Sequence, residues 1–241
     1  MKVSQKIEAQ LKGIPEGITF GYKDMAIETD EFGAASKSIE RIIAAGKLKR
    51  ISKGVFYKPR MTVFGLVQPV EQELLKQYLF KNGRRVAYIT GIGLYNQMGL
   101  TTQIPAIIIM ASKSRRKAVD IGNIKIKPVK SYTNVTNENY KLLGILDAVK
   151  DFKTIPDTDI KSVISILKNQ LNQLTEAERK YLTQYALDYP PRVRALLGAI
   201  LEIVDNSLDL IGLKKSLSPL STYKTGITTA LLPNAIKWNL K

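Results

Sequence analysis

Val3, Ile7 and Leu11 recur four apart with polar residues between them, a spacing that predicts a short helix at the start of the chain. Gly13-Ile14-Pro15 ends it, because proline disfavours the helical conformation in the residue before it. A brief Gly17-Ile-Thr-Phe20 follows, and residues 21–27 predict a second short helix closed by Thr29 and Asp30. A third helix is predicted over 33–45, with Ile39, Ile42 and Ile43 on one face and Gly46 as its C-terminal stop. Residues 48–51 and 54–57 then read as two strands around Ser52-Lys53-Gly54. Beyond Pro59 the composition shifts. An amphipathic segment over 66–81 has Val70, Leu74, Leu75 and Leu79 as its stripe. Strands are predicted at 86–89, 106–110 and 124–127, with a small helix over 91–100 between the first two. Four longer helices follow at about 140–151, 159–171, 174–189 and 191–204. Thr175 and Glu178 form a capping-box pattern. The tail from 213 on is rich in Ser, Thr, Gly and Pro, yet its leucines, isoleucines and Trp238 predict order against the body.

Three short helices and then a β-hairpin is the order of a winged helix-turn-helix. The expected fold class is therefore α+β: a winged helix-turn-helix over 1–60, followed over 61–241 by a mixed α/β domain with a helical C-terminal part. The 241 residues, 44% apolar and 24% charged, suffice for a sizeable core. Cysteine and histidine are both absent, which removes disulfides, thiolate nucleophiles, the usual zinc sites and every imidazole general base. A reducing cytoplasm is the expected compartment. The charged N-terminal stretch does not read as a signal peptide, and the apolar run 104–111 is too short to cross a bilayer.

Charge changes the picture most. Thirty-seven basic residues stand against 21 acidic ones, a formal net charge of +16, which favours a polyanionic partner and above all nucleic acid. Residues 41–60 hold seven basic residues and no acid, and residues 113–130 hold seven against the single Asp120. A winged domain presents its third helix to the major groove and its hairpin to the flanking backbone. On that reading Ser36 and Lys37 are the candidates to reach base edges, and Arg41 a phosphate contact one turn on. Lys49, Arg50 and Lys53 are the phosphate binders of the hairpin, with Lys47 and Lys58 behind them. Phosphate contacts supply affinity without sequence information. One of Phe56 and Tyr57 is expected to pack inward and the other to lie near the backbone of the duplex. The plainer alternative is a solvated edge whose lysines only prevent strand pairing.

The stretch SIERIIAAGKLKRISKGVFYKP resembles the end of the winged-helix domain of the AbiEi family, antitoxins and transcriptional regulators of abortive-infection (type IV) toxin–antitoxin systems. The family's pattern falls on Ile39, Ile42, Ile43, Gly46, Leu48, Arg50, Lys53, Gly54, Val55 and Phe56, followed by Tyr57. Phe56 stands where tyrosine is common. YITGIGLYNQMGLTTQIP resembles the second-domain signature at Thr90, Gly91, Leu94, Tyr95, Gly99, Leu100, Thr101, Gln103 and Pro105. PPRVRALLGAILE looks like the late helix of longer members, found before a segment such as Ser221 to Lys224. The tail beyond Asp205 departs from the shorter members. The resemblance implies a repressor that binds double-stranded DNA at inverted repeats in its own promoter, with a C-terminal antitoxin domain. It also implies a nucleotidyltransferase-like toxin as functional partner, no direct complex with it, and no cofactor or membrane.

The second basic cluster adds Lys113, Arg115, Arg116 and Lys117, where a strand end feeds a basic loop, and Lys125, Lys127 and Lys130 soon after. A solvated loop is the alternative, since surface lysines are commonplace. Gly91-x-Gly93 starts like a dinucleotide fingerprint but has Asn96 at the third glycine position and no acid at the right distance. Asp157 and Asp159 read as helix-capping acids, and Asp147 and Asp151, four apart on one helix face, as solvated carboxylates. An enzyme, a metal-dependent nuclease or transferase, is a second class. A basic protein-interaction module without DNA binding is a third.

Overall fold

The computed structural model describes residues 2–63, 65–114, 117–121 and 124–241. The fold is mixed α+β, with nine α-helices and several small sheets among the described residues. It divides into two compact units, Met1–Leu79 with Asp120–Ile124, and Phe80–Val119 with Lys125–Lys241.

In the first unit α1 (Val3–Gly13) is followed by β1 (Thr19–Gly21), a single 3-10 turn (Tyr22–Asp24) and α2 (Phe32–Ala44). Then come β2 (Lys49–Ser52) and β3 (Val55–Tyr57), joined by a turn in which Gly54 takes φ +76°, a conformation that costs glycine nothing. The three strands form an antiparallel sheet in the order β1-β3-β2. The second helix predicted over 21–27 is only the 3-10 turn: Asp24 folds back to accept from the Gly21 amide at 2.7 Å, closing the segment before an α-helical turn can form. Ile7 and Leu11 of α1 meet Ala35 and Ile39 of α2 in a core completed by Phe20, Met25, Leu48 and Phe56.

The amphipathic segment over 66–81 comprises a strand and a helix. β4 (Arg60–Thr62) pairs with β5 (Gly65–Val67), and α3 spans Glu71–Leu79. Thr19 Oγ1 donates to the Glu73 carbonyl at 3.2 Å and Ser52 Oγ to Gln77 Oε1 at 2.9 Å. These bonds explain why the first unit runs to Leu79, past the expected domain boundary near residue 60.

The second unit starts with β6 (Phe80–Lys81) and β7 (Arg84–Arg85) around Asn82 and Gly83, both with positive φ, the turn an Asn-Gly pair favours. β8 (Ala87–Thr90) leads into α4 (Ile92–Gln97), then in chain order β9 (Ile108–Ser112), β10 (Val119–Ile121), grouped from Asp120 on with the first unit, and β11 (Ile124–Lys130). Their sheet is ordered β10-β11-β9-β8, with β9 parallel to β11 and antiparallel to β8. The helical body comprises α5 (Tyr140–Asp151), α6 (Ile160–Gln173), α7 (Glu176–Ala186), α8 (Pro191–Val204) and the short α9 (Ile211–Lys215). α5 and α8 are buried along most of their length, as helices apolar on all sides must be. Asp159 caps α6 by accepting from the Ser162 amide at 2.9 Å, and Thr175 with Glu178 makes the expected capping box on α7. The tail is ordered on this body. Trp238 is buried over Gly198 of α8, its indole donates to Glu202 at 2.9 Å, and a bridge joins Tyr223 to Leu240.

Candidate nucleic-acid interface

The burial pattern settles how α2 sits. Ala35, Ser38 and Ile39 are buried and Ile42 and Ile43 half-buried, so the opposite side, with Gly33, Lys37, Glu40 and Ala44, faces solvent. Lys37 is therefore presented as expected. Ser36 is not: it is half-buried and accepts a hydrogen bond from the Tyr22 hydroxyl at 3.3 Å. Tyr22 in turn lies edge-on to Phe56 at 5.4 Å. Ser36 is thus committed to holding the 3-10 turn against the helix.

The β2–β3 hairpin carries Lys49 and Lys53, both exposed. Arg50 has a different place from its lysine neighbours. Its guanidinium donates to Glu40 of α2 at 2.5 Å and lies 5.6 Å from the Phe56 ring centre. The pair is half-exposed, so it adds little stability, but it neutralises one cation and ties the hairpin to the solvent face of α2. Phe56 and Tyr57 are both buried, against the expectation that one of them faces a duplex. β3 is the central strand of its sheet, so neither side of it is free.

The other three cations predicted as contacts in the first unit gather elsewhere. Arg41 and Lys47 are exposed and line a cavity together with Lys58, whose ammonium donates to the Ile14 carbonyl at 2.8 Å. The structure thus splits the predicted set: Lys37, Lys49 and Lys53 with the paired Arg50 in one group, and Arg41, Lys47 and Lys58 in another.

In the second unit Lys113 is exposed but donates to the Tyr132 carbonyl at 2.7 Å, and Lys117 is exposed. Arg115 and Arg116 lie outside the described residues. Lys125, Lys127 and Lys130 are exposed along β11.

Asp147 and Asp151 are not solvated as expected. Asp147 is 3% exposed and accepts from Tyr88 at 2.9 Å, Thr90 at 2.7 Å and Tyr189 at 3.3 Å, with Lys150 at 3.3 Å. Asp151 accepts from Tyr95 at 2.7 Å and pairs with Lys150 at 3.5 Å. Burial first, and then the carboxylate charges, pushes the three tyrosine hydroxyls far up from their usual range. For Lys150 burial acts downward, but the two aspartates outweigh it and raise the ammonium. This network locks β8, α4 and α5 together. A single aspartate inside Leu-Leu-Gly-Ile-Leu-Asp-Ala-Val was the signal for it, because a charge within a buried run must be paired. Among the described residues no group of three or more acids could hold a metal ion.

A mixed α+β protein with a cationic helix-and-hairpin face is the class these features define. The chain belongs to a family of unknown function, DUF6088, which matches residues 6–175. No curated protein matches it. Among solved structures it is similar to the RV2827C protein from Mycobacterium tuberculosis, with a TM-score of 0.50 at 9% identity over 92% of this chain and 84% of that one. At that identity the likeness speaks for the fold alone.

Proposed function

We propose that this chain is a DNA-binding transcriptional regulator and antitoxin that represses its own toxin–antitoxin operon and counteracts a nucleotidyltransferase-like toxin. The first unit is read as a winged helix-turn-helix, with α2 as the helix that enters the major groove and β2–β3 as the wing. The observation that carries this reading is the arrangement of α2 and the hairpin. Lys37, Lys49 and Lys53 are exposed without an ion pair among the described residues, and the Glu40–Arg50 pair holds helix and hairpin in register. Three uncommitted lysines on a braced surface suit phosphate contacts, which orient a protein on a duplex and set its salt dependence. Lys117, Lys125, Lys127 and Lys130 offer a second polyanion surface. The antitoxin half of the proposal rests on the AbiEi resemblance. No helix among the described residues is long and apolar enough to cross a membrane, and we place the protein in the cytoplasm.

The test pairs two assays on one variant, Lys37→Ala/Lys49→Ala/Lys53→Ala. Gel shifts on the DNA upstream of the gene should lose most binding. Growth rescue on co-expression with the neighbouring toxin should persist, because the substituted surface belongs to the first unit. Normal operator binding by the variant would sink the DNA reading. Absence of a toxin gene beside this one, or of any rescue by the unaltered chain, would sink the antitoxin reading.

A further inference from the structure

Between the last turns of α1 and α2 the first unit holds a cavity of about 420 Å³, within the size range of small-ligand clefts. Lys12, Arg41, Lys47 and Lys58 line it, and Glu8 is its one acid. None of these five belongs to an ion pair among the described residues. Its floor is apolar, from Leu11, Ile42 and Leu48.

Cations at helix C-termini have a structural use, since each terminus carries about half a unit of negative charge. The two helix ends here supply about one negative charge between them, and Glu8 one more. Four cations exceed that by about two charges. The lining therefore carries a net surplus of about two positive charges.

We infer that the cavity binds a phosphate monoester with a compact apolar or aromatic body. A monoester carries about two negative charges near neutral pH, which matches the surplus. The Arg41 guanidinium offers the fork that grips phosphate oxygens in pairs, while Lys47 and Lys12 act as point charges. The body rests on the apolar floor. Ile42 of the cavity floor stands about 140° round α2 from Lys37, while Arg41, about 40° from Lys37, borders both the cavity and the proposed duplex-facing side. The proposed DNA contact rests on Lys37, Lys49 and Lys53, none of which lines the cavity, so a failure here would leave that reading intact.

The experiment is isothermal titration of the full chain, at fixed ionic strength, with phenyl phosphate, inorganic phosphate and benzyl alcohol. Phenyl phosphate should bind about tenfold or more tighter than inorganic phosphate, the ring adding the burial of its apolar surface. Benzyl alcohol should show no heat of binding. Arg41→Ala and Lys47→Ala should each weaken phenyl phosphate about tenfold. Glu8→Gln, a near-isosteric change that removes the opposing charge, should tighten it severalfold. Equal affinity for phenyl and inorganic phosphate would overturn the proposal, as would Glu8→Gln leaving or reducing the affinity. Melting temperatures of the unliganded variants separate lost binding from lost folding.

Discussion

Removing Lys37, Lys49 and Lys53 tests the proposed DNA surface by its salt dependence, which measures the number of phosphates neutralised. Binding falls with salt at a log–log slope of about 0.9 per phosphate contact on duplex DNA. From about 50 to 200 mM salt, each contact therefore accounts for about half a log unit, and three contacts for about fortyfold. Fluorescence anisotropy on the upstream duplex should show the triple alanine variant with a slope shallower by about 2.7 and a salt response about fortyfold smaller. The three side chains are exposed and outside every ion pair of the described residues, so the fold should change by no more than about 0.5 kcal/mol. Arg50 behaves differently because it is already paired with Glu40. Glu40→Gln removes an opposing charge and releases Arg50, so it should tighten binding and steepen the slope by about 0.9. An unchanged slope in the triple variant, or weaker binding by Glu40→Gln with the fold intact, would refute the assignment of this face to phosphates.

Three further predictions concern the second unit. A methyl group at Gly198 would overlap the Trp238 indole. Gly198→Ala should lower stability by about 1–3 kcal/mol from overpacking, reversing the roughly 1 kcal/mol that alanine normally gains in a helix; a denaturant midpoint above that of the unaltered chain would contradict this. Asp147→Ala leaves the buried hydroxyls of Tyr88 and Thr90 without their acceptor, while Tyr189 keeps the Leu143 carbonyl. At about 1–3 kcal/mol for each buried unsatisfied group, urea unfolding should show a loss of at least about 2 kcal/mol, and a loss below about 1 would argue against the network. The Glu202 carboxyl is lowered to about 2: partial burial raises it, but hydrogen bonds from Lys237, Asn234 and Trp238 outweigh that. Since its folded value lies below the unfolded one near 4.5, its stabilisation is full above 4.5 and lost as pH falls through 2. The stability gap between the unaltered chain and Glu202→Gln should then close across that window, and a gap that stays constant from pH 6 to 2 would refute it.

What could be read from the chain follows the range of the interactions concerned. α5 and α8 match their predicted spans because their signals are local: a buried apolar run in the first, Pro190-Pro191 at the start of the second. The short strands β4 to β7 escaped, since two or three residues give no period to read; Asn82-Gly83 was the available sign of one such hairpin. The amphipathic segment over 66–81 resolves into β5 and α3, with Leu74, Leu75 and Leu79 of its stripe on α3 and Val70 just before it. The candidate interface shows the same division. Charge density is written in the sequence, and it marked 41–60 as a cationic surface. Which cations remain uncommitted is decided by partners distant in the chain. Lys58 meets a carbonyl 44 residues earlier, Lys113 one 19 residues later, and Ser36 a tyrosine 14 residues before it. Arg50 turned to Glu40 of α2, ten residues away. A cluster of like charges read from sequence is thus an upper bound on the contacts it can make, and only the unpaired remainder is available to a polyanion.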